Sequence, residues 1–329
     1  MTSTARAGSL GMGTVKLGIL VAAVAALAIV AVFAKRSEVY LLTLYCTYLM
    51  ATMGLNLTVG YAGQMSLGQA AFLGIGAYIG AIAMKAGVPF LVVLPVAAIA
   101  CFAVGLALGF PALRVQHHYL AFATLGFNVL VFLVMRNEEK ITGGTFGIAS
   151  IPRPHIVIDL SGHLAYFYFT LASLLLLGFA LWWILRSPWG RAFAALRDNP
   201  IRAESLGINI TAYTLLAFAI GAACAGIAGV YYASLIEFIE PGPFHFSTSL
   251  MMLLAVIVGG SGRFFGPVVG TIIIVLLPEL LRSSTLPWLK FMQTWYLAVF
   301  GLAVVALMIW LPGGLLSIPD AFRRMRASK

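Results

Sequence analysis

The chain has 329 residues, of which 62% are hydrophobic and 9% charged, with a formal net charge of +10. Soluble domains carry about 25% charged residues, so this chain cannot cover itself with a polar surface and is expected to be an integral membrane protein. Nucleic acid is excluded as a partner despite the positive balance, because the bases lie at the ends of apolar segments and form no basic patch.

Ten apolar segments run in order along the chain, at 15–34, 38–59, 66–84, 88–110, 117–135, 163–185, 210–235, 247–261, 266–281 and 291–311. They are too long for barrel strands, and a helix satisfies its own backbone in lipid. The expected fold is all-α, a polytopic transmembrane bundle of about ten helices with both termini cytoplasmic. Residues 1–14 form a cytoplasmic tail, 15–318 the transmembrane domain and 319–329 a basic cytoplasmic tail.

Within the first segment, the uncharged run from Leu17 to Ala34, preceded by Arg6 and Lys16, is longer than a signal h-region of about 7–15 residues and near the ~20 needed to span. A retained first helix is expected. Residues 39–84 contain no Asp, Glu, Lys or Arg, yet their middle, VGYAGQMSLGQAAFLGIG, holds five glycines with Gln64 and Gln69. Glycine loosens a helix, and an amide needs a partner in lipid. A broken or re-entrant element meets both demands, with Gln64, Ser66 and Gln69 facing protein or water. A tight cytoplasmic hairpin is the alternative. Further along, Gly76 with Gly80, Gly105 with Gly109, and Gly221 with Ala225 and Gly229 carry the small-residue spacing of closely packed membrane helices.

Two polar connections interrupt the apolar pattern. Residues 137–162, with TGGTFGIASIPRP, read as an external loop. Residues 186–209 read as cytoplasmic and carry four arginines. There Asn199 followed by Pro200 starts a helix, and Gly207 ends it. Such a short helix is marginal in water, so either the membrane surface or a partner protein holds it. Finally, VGGSGR at 258–263 echoes VGYAGQ at 59–64, with six predicted crossings between, which makes the two a parallel repeat.

Charge supports this topology. The predicted inside holds 12 of the 20 bases and three acids, and the outside 8 bases and seven acids, in keeping with the positive-inside rule. No Gly-Lys dipeptide occurs, so no phosphate-binding loop of the GxxxxGK[ST] type is present. HExxH and GxSxG are also absent, and the adjacent His117 and His118 lie about 100° apart on a helix. No catalytic residue, metal site or cofactor is expected.

Several blocks, in order, are similar to the permease subunits of branched-chain amino acid ABC transporters, of the LivM type. They are GLNLTVGYAGQMSLGQAAFLGIGAY, LRVQHHYLAFATLGF, ITGGTFGI, SPWGRAFAALRDNPIRAESLGIN, AGIAGVYYA and VGGSGRFFGPVVGT through to LPGGLLSI, covering about 40–318. The resemblance implies a permease domain in the bacterial inner membrane, working by alternating access. It also implies a second permease of the LivH type, two cytoplasmic ATP-binding subunits and an external solute-binding protein as partners. Residues 191–208 would then couple to the ATPases through Arg191, Arg197, Asp198, Asn199, Pro200, Arg202, Glu204 and Gly207. Gly60, Tyr61, Gly63, Gln64, Ser66, Gln69 and Asn128 would line or shape the translocation path. Departures at His117, His118, Asn128, Phe146 and Gly313 leave the cargo open, with urea, short amides or another small polar solute as the alternative to branched-chain amino acids. An ion-coupled secondary transporter is the competing class. It would place an ionisable residue inside a span, and the nearest here, Glu279, lies at an end.

Overall fold

The computed structural model describes residues 28, 30–112, 117–154, 162–273 and 314–315. The predicted first and last segments, 15–34 and 291–311, and both tails lie wholly or mostly outside the described residues. In chain order, Arg36–Leu55 forms α1 and continues as a π-helical turn, Asn56–Tyr61. Gln69–Lys85 forms α2, Phe90–Ala112 α3 and His117–Asn137 α4. After the single turn α5, Glu139–Thr142, comes the two-residue strand β1, Ile148–Ala149. His163–Arg186 forms α6, Pro188–Asp198 α7, Pro200–Ser205 α8 and Ile210–Ile236 α9. Strand β2 is Phe238–Ile239, followed by α10, Phe246–Gly260, and α11, Gly266–Thr271.

Among the described residues, five helical stretches are long and apolar enough to cross a bilayer: Arg36–Tyr61, Phe90–Phe110, Leu120–Asn137, His163–Arg186 and Ile210–Ile236. Two more apolar helices, Gln69–Lys85 and Phe246–Gly260, are shorter. The chain is thus a mostly helical, multi-pass membrane protein. The segments expected at 38–59 and 66–84 differ from those that form: the first runs on to Tyr61 through the π turn, and the second starts only at Gln69.

Helix α9 is the centre of the bundle and packs against α1, α2 and α3. The physical reason is its small-residue surface, because lipid tails are as apolar as leucine and association depends on close packing. A Cβ added at Gly76 would stand 2.6 Å from Gly226 Cα, one at Gly54 2.8 Å from Gly221 O, and one at Gly105 3.1 Å from Ala219 Cα. The GxxxG spacings thus mark true helix crossings. Polar ties add direction: Tyr166 Oη donates to Tyr231 O at 2.8 Å, and Tyr45 Oη to Val268 O at 3.0 Å.

The connections sort to two ends. At one end β1 pairs antiparallel with β2, Ile148 opposite Ile239 and Ala149 opposite Phe238. Lys85 Nζ donates to Ala149 O at 3.1 Å, and Arg153 pairs with Glu237. The loop expected outside is therefore pinned to the α9–α10 connection. At the other end α7, α8, the turn after Tyr61 and the turn after α10 gather. Among the described residues this second end holds Arg186, Arg191, Arg197, Arg202 and Arg263 against Asp198 and Glu204, whereas the first nearly balances its bases with acids.

Candidate functional site

The glycine-rich run after α1 folds back along that helix. Gln69, the first residue of α2, donates through Nε2 to Ala51 O at 2.8 Å and to Gly221 O at 3.2 Å. Ala51 stands roughly 15 Å up the helix from Tyr61, so residues 62–68 climb back beside the end of α1 before α2 begins. That also explains why α2 has only 17 residues, below the ~20 of a full span.

A non-helical backbone at this depth needs partners within the protein, and it has them. Gln64 N donates to Thr58 O at 3.0 Å, Leu67 N to Thr124 Oγ1 at 3.0 Å, and Ala70 N to Ser249 Oγ at 2.8 Å. Ser249 Oγ also accepts from Asn128 Nδ2 at 3.1 Å. Asn128 therefore joins α4 to α10 and the start of α2, and its Oδ1 is buried without a partner. Gln64, Ser66, Gln69 and Asn128 are all buried among protein groups in this conformation. Gly60 is buried, Tyr61 half-buried and Gly63 exposed. A cavity of about 10 Å³, lined by Met53, Asn56, Leu57, Tyr61, Leu181, Leu185 and Phe264, lies beside the π turn. It holds at most one water.

The two echoing motifs meet. Gly262 N donates to Asn56 Oδ1 at 3.0 Å, while Asn56 Nδ2 donates to Arg263 O at 3.0 Å. Gly60 packs on Gly262 so closely that a Cβ there would overlap both Asn56 Oδ1 and Gly262 N. Gly63 and Gly262, the matched positions of the repeat, share a left-handed backbone with φ of +71° and +75°. Beyond the turns, Thr52 and Thr271 hydroxyls lie 2.8 Å apart, joining α1 to α11.

Below these turns lies the arginine-bearing segment, which is two helices rather than the one expected. Ser187 Oγ accepts from Trp189 N at 3.2 Å, with Pro188 at the first helical position of α7. Asn199 Oδ1 accepts from Arg202 N at 3.0 Å, with Pro200 opening α8. Gly207 closes α8 at φ +82°, its N–H bonding Glu204 O at 2.9 Å while Ile208 N–H bonds Ala203 O at 3.1 Å. This is the glycine stop of a helix C-terminus. Arg191, Arg197, Asp198, Arg202 and Glu204 are exposed, and so are three large apolar side chains, Trp189 (46%), Ile201 (78%) and Leu206 (79%). Of the groups that complete the site, Asn56, Thr124 and Ser249 were not anticipated. Asn56 alone carried a signal, as a lone amide in an uncharged span. Among the described residues no group of three or more His, Cys, Asp or Glu side chains could hold a metal.

Comparison with known proteins matches residues 37–308 to the family described as "Branched-chain amino acid transport system / permease component". The chain is 34% identical to the high-affinity branched-chain amino acid transport system permease protein LivM of Escherichia coli (strain K12), over 92% of this chain and 76% of that one. It is also 34% identical to LivM of Salmonella typhimurium, over 86% and 70% of the two chains. A probable LivM of Methanocaldococcus jannaschii is 27% identical, over 67% and 66%. No solved structure matches.

Proposed function

The chain belongs to the family of branched-chain amino acid transport permeases, and from that premise we propose that it forms the translocation path of an ABC importer in the bacterial inner membrane. Its cargo is leucine, isoleucine or valine, passed by alternating access. The subunit is non-catalytic, and ATP is hydrolysed by two partner ATPases. A second permease of the LivH type and an external solute-binding protein complete the machine.

The observation that carries this reading is the foot formed by α7 and α8. Helices of 11 and 6 residues are marginal alone in water. These two are nonetheless capped at both starts, lie outside every candidate span and present Trp189, Ile201 and Leu206 to solvent among arginines. Exposed apolar side chains rimmed by charge mark a protein-binding surface. A docked ATPase fits it, and its nucleotide-driven motion would reach the bundle through the same foot.

The re-entrant element supplies the rest. Gly60, Tyr61, Gly63, Gln64, Ser66 and Gln69, with Asn128, shape the path, and the burial of Gly60, Gln64, Ser66, Gln69 and Asn128 here corresponds to a closed conformation. The test is reconstitution in liposomes. Leucine uptake should need the two ATPases, the second permease, the loaded binding protein and ATP. Uptake by this chain alone under an ion gradient would defeat the reading.

A further inference from the structure

Three segments far apart in sequence meet at one point: the turn after the π helix, the turn after α10, and the last turn of α7. The side chain at the meeting point is Arg197. A Cβ added at Gly63 would stand 3.4 Å from Arg197 Cα and 3.5 Å from its Cγ. A Cβ added at Gly262 would overlap Arg197 Nη1 and lie 2.8 Å from its Cζ. The aliphatic stem of Arg197 thus lies along one glycine turn and its guanidinium against the other. Both turns are left-handed at the contact, and both admit the side chain because they have none of their own.

We propose that Arg197 is a positioning residue that transmits movement of the α7–α8 foot to the paired glycine turns, and through them to the re-entrant element. This rests on the reading that the foot docks an ATPase. Its neighbours on the foot, Trp189, Ile201 and Leu206, present apolar surface to solvent, whereas Arg197, itself exposed, lies across the two glycine turns. The two turns it bridges are locked to each other by Asn56, so a displacement of Arg197 moves both together. The π turn that precedes Gly63 gives that displacement somewhere to go, since single π turns mark strained, functional points in helices. The guanidinium lies against Gly262, a rigid planar group for which a lysine ammonium on a flexible stem is no equivalent.

The experiment uses the full complex in liposomes. For Arg197→Ala the ATPases should still co-purify, while leucine delivered per ATP hydrolysed falls at least about fivefold, a typical coupling strength. Gly262→Ala should do the same, because its methyl group displaces the guanidinium. The double variant should be no worse than either single one, whereas independent effects would multiply. Arg197→Met keeps the stem, and serves if Arg197→Ala fails to assemble. Arg197→Lys should recover only part of the loss. Loss of ATPase from Arg197→Ala with Arg197→Met coupled normally would make Arg197 a docking contact and overturn the proposal while leaving the foot's role intact. Unchanged coupling in all variants would overturn it as well. If Ile201→Asp, on the outward face, also leaves assembly untouched, the docking reading itself falls.

Discussion

Ser249 and Gln69 both tie the glycine-rich run to neighbouring helices, yet their removal should differ. Gln69→Leu takes away a donor, but Ala51 O and Gly221 O lie within helices and keep their backbone partners. Its cost should be about 1 kcal/mol or less. Ser249→Ala strands the Ala70 N–H at a helix start and frees the Asn128 amide, both buried. An unsatisfied buried group costs about 1–3 kcal/mol, so this variant should lower the melting temperature in detergent more than Gln69→Leu does. Equal shifts would argue against the satisfaction of Ala70 as the role of Ser249. The need for partners at Gln64, Ser66 and Gln69 was legible, since an amide in an uncharged run must bond something. Which partners serve the run was not: Gln64 and Ser66 bond locally, to Ala62 O and from Gly68 N, whereas Leu67, Gln69 and Ala70 reach Thr124, Ala51, Gly221 and Ser249 on helices up to about 180 residues away.

At the scale of elements, the foot depends on its caps. Asn199→Ala removes the acceptor for Arg202 N and should cost α8 about 1 kcal/mol. Fraying of so short a helix should weaken co-purification of the ATPases while the bundle's melting temperature stays within a degree or two. Asn199, Pro200 and Gly207 showed this helix in advance through ordinary cap chemistry. The same signal stands at Ser187-Pro188, yet α7 was not anticipated there, because its arginines made the whole of 186–209 read as a polar connection. The start of α2 was misplaced as well. Ser66 and Leu67 look as helical as the residues from Gln69 onward, but the chain is non-helical there because Thr124 takes the Leu67 N–H.

For the whole molecule, α9 carries the bundle on glycines. Gly226→Leu would push a side chain into Cys101 and the backbone carbonyl of Ala97. Overpacking of this kind costs about 1–3 kcal/mol or more, and here it should abolish recovery of folded chain from membranes. Recovery comparable to the parent would mean that α3 can move aside. Gly87→Ala, where nothing lies within 4 Å, is the control for space, although its φ of +84° adds local strain. The echo of VGYAGQ in VGGSGR proves to be spatial as well as textual, since the matched glycines share a backbone conformation and their turns touch.

Composition and order alone determined that the chain is helical and membrane-embedded. Apolar length dictates burial in lipid, and lipid dictates internal backbone bonding. Cap residues likewise determined where α8 starts and stops, because capping is local. The tertiary structure alone decided that α2 begins in mid-bundle, that two distant glycine turns close on each other, and that Arg197 lies between them. Those outcomes depend on contacts between segments separated by up to about 200 residues, and no local preference specifies which of many glycine-rich turns will meet.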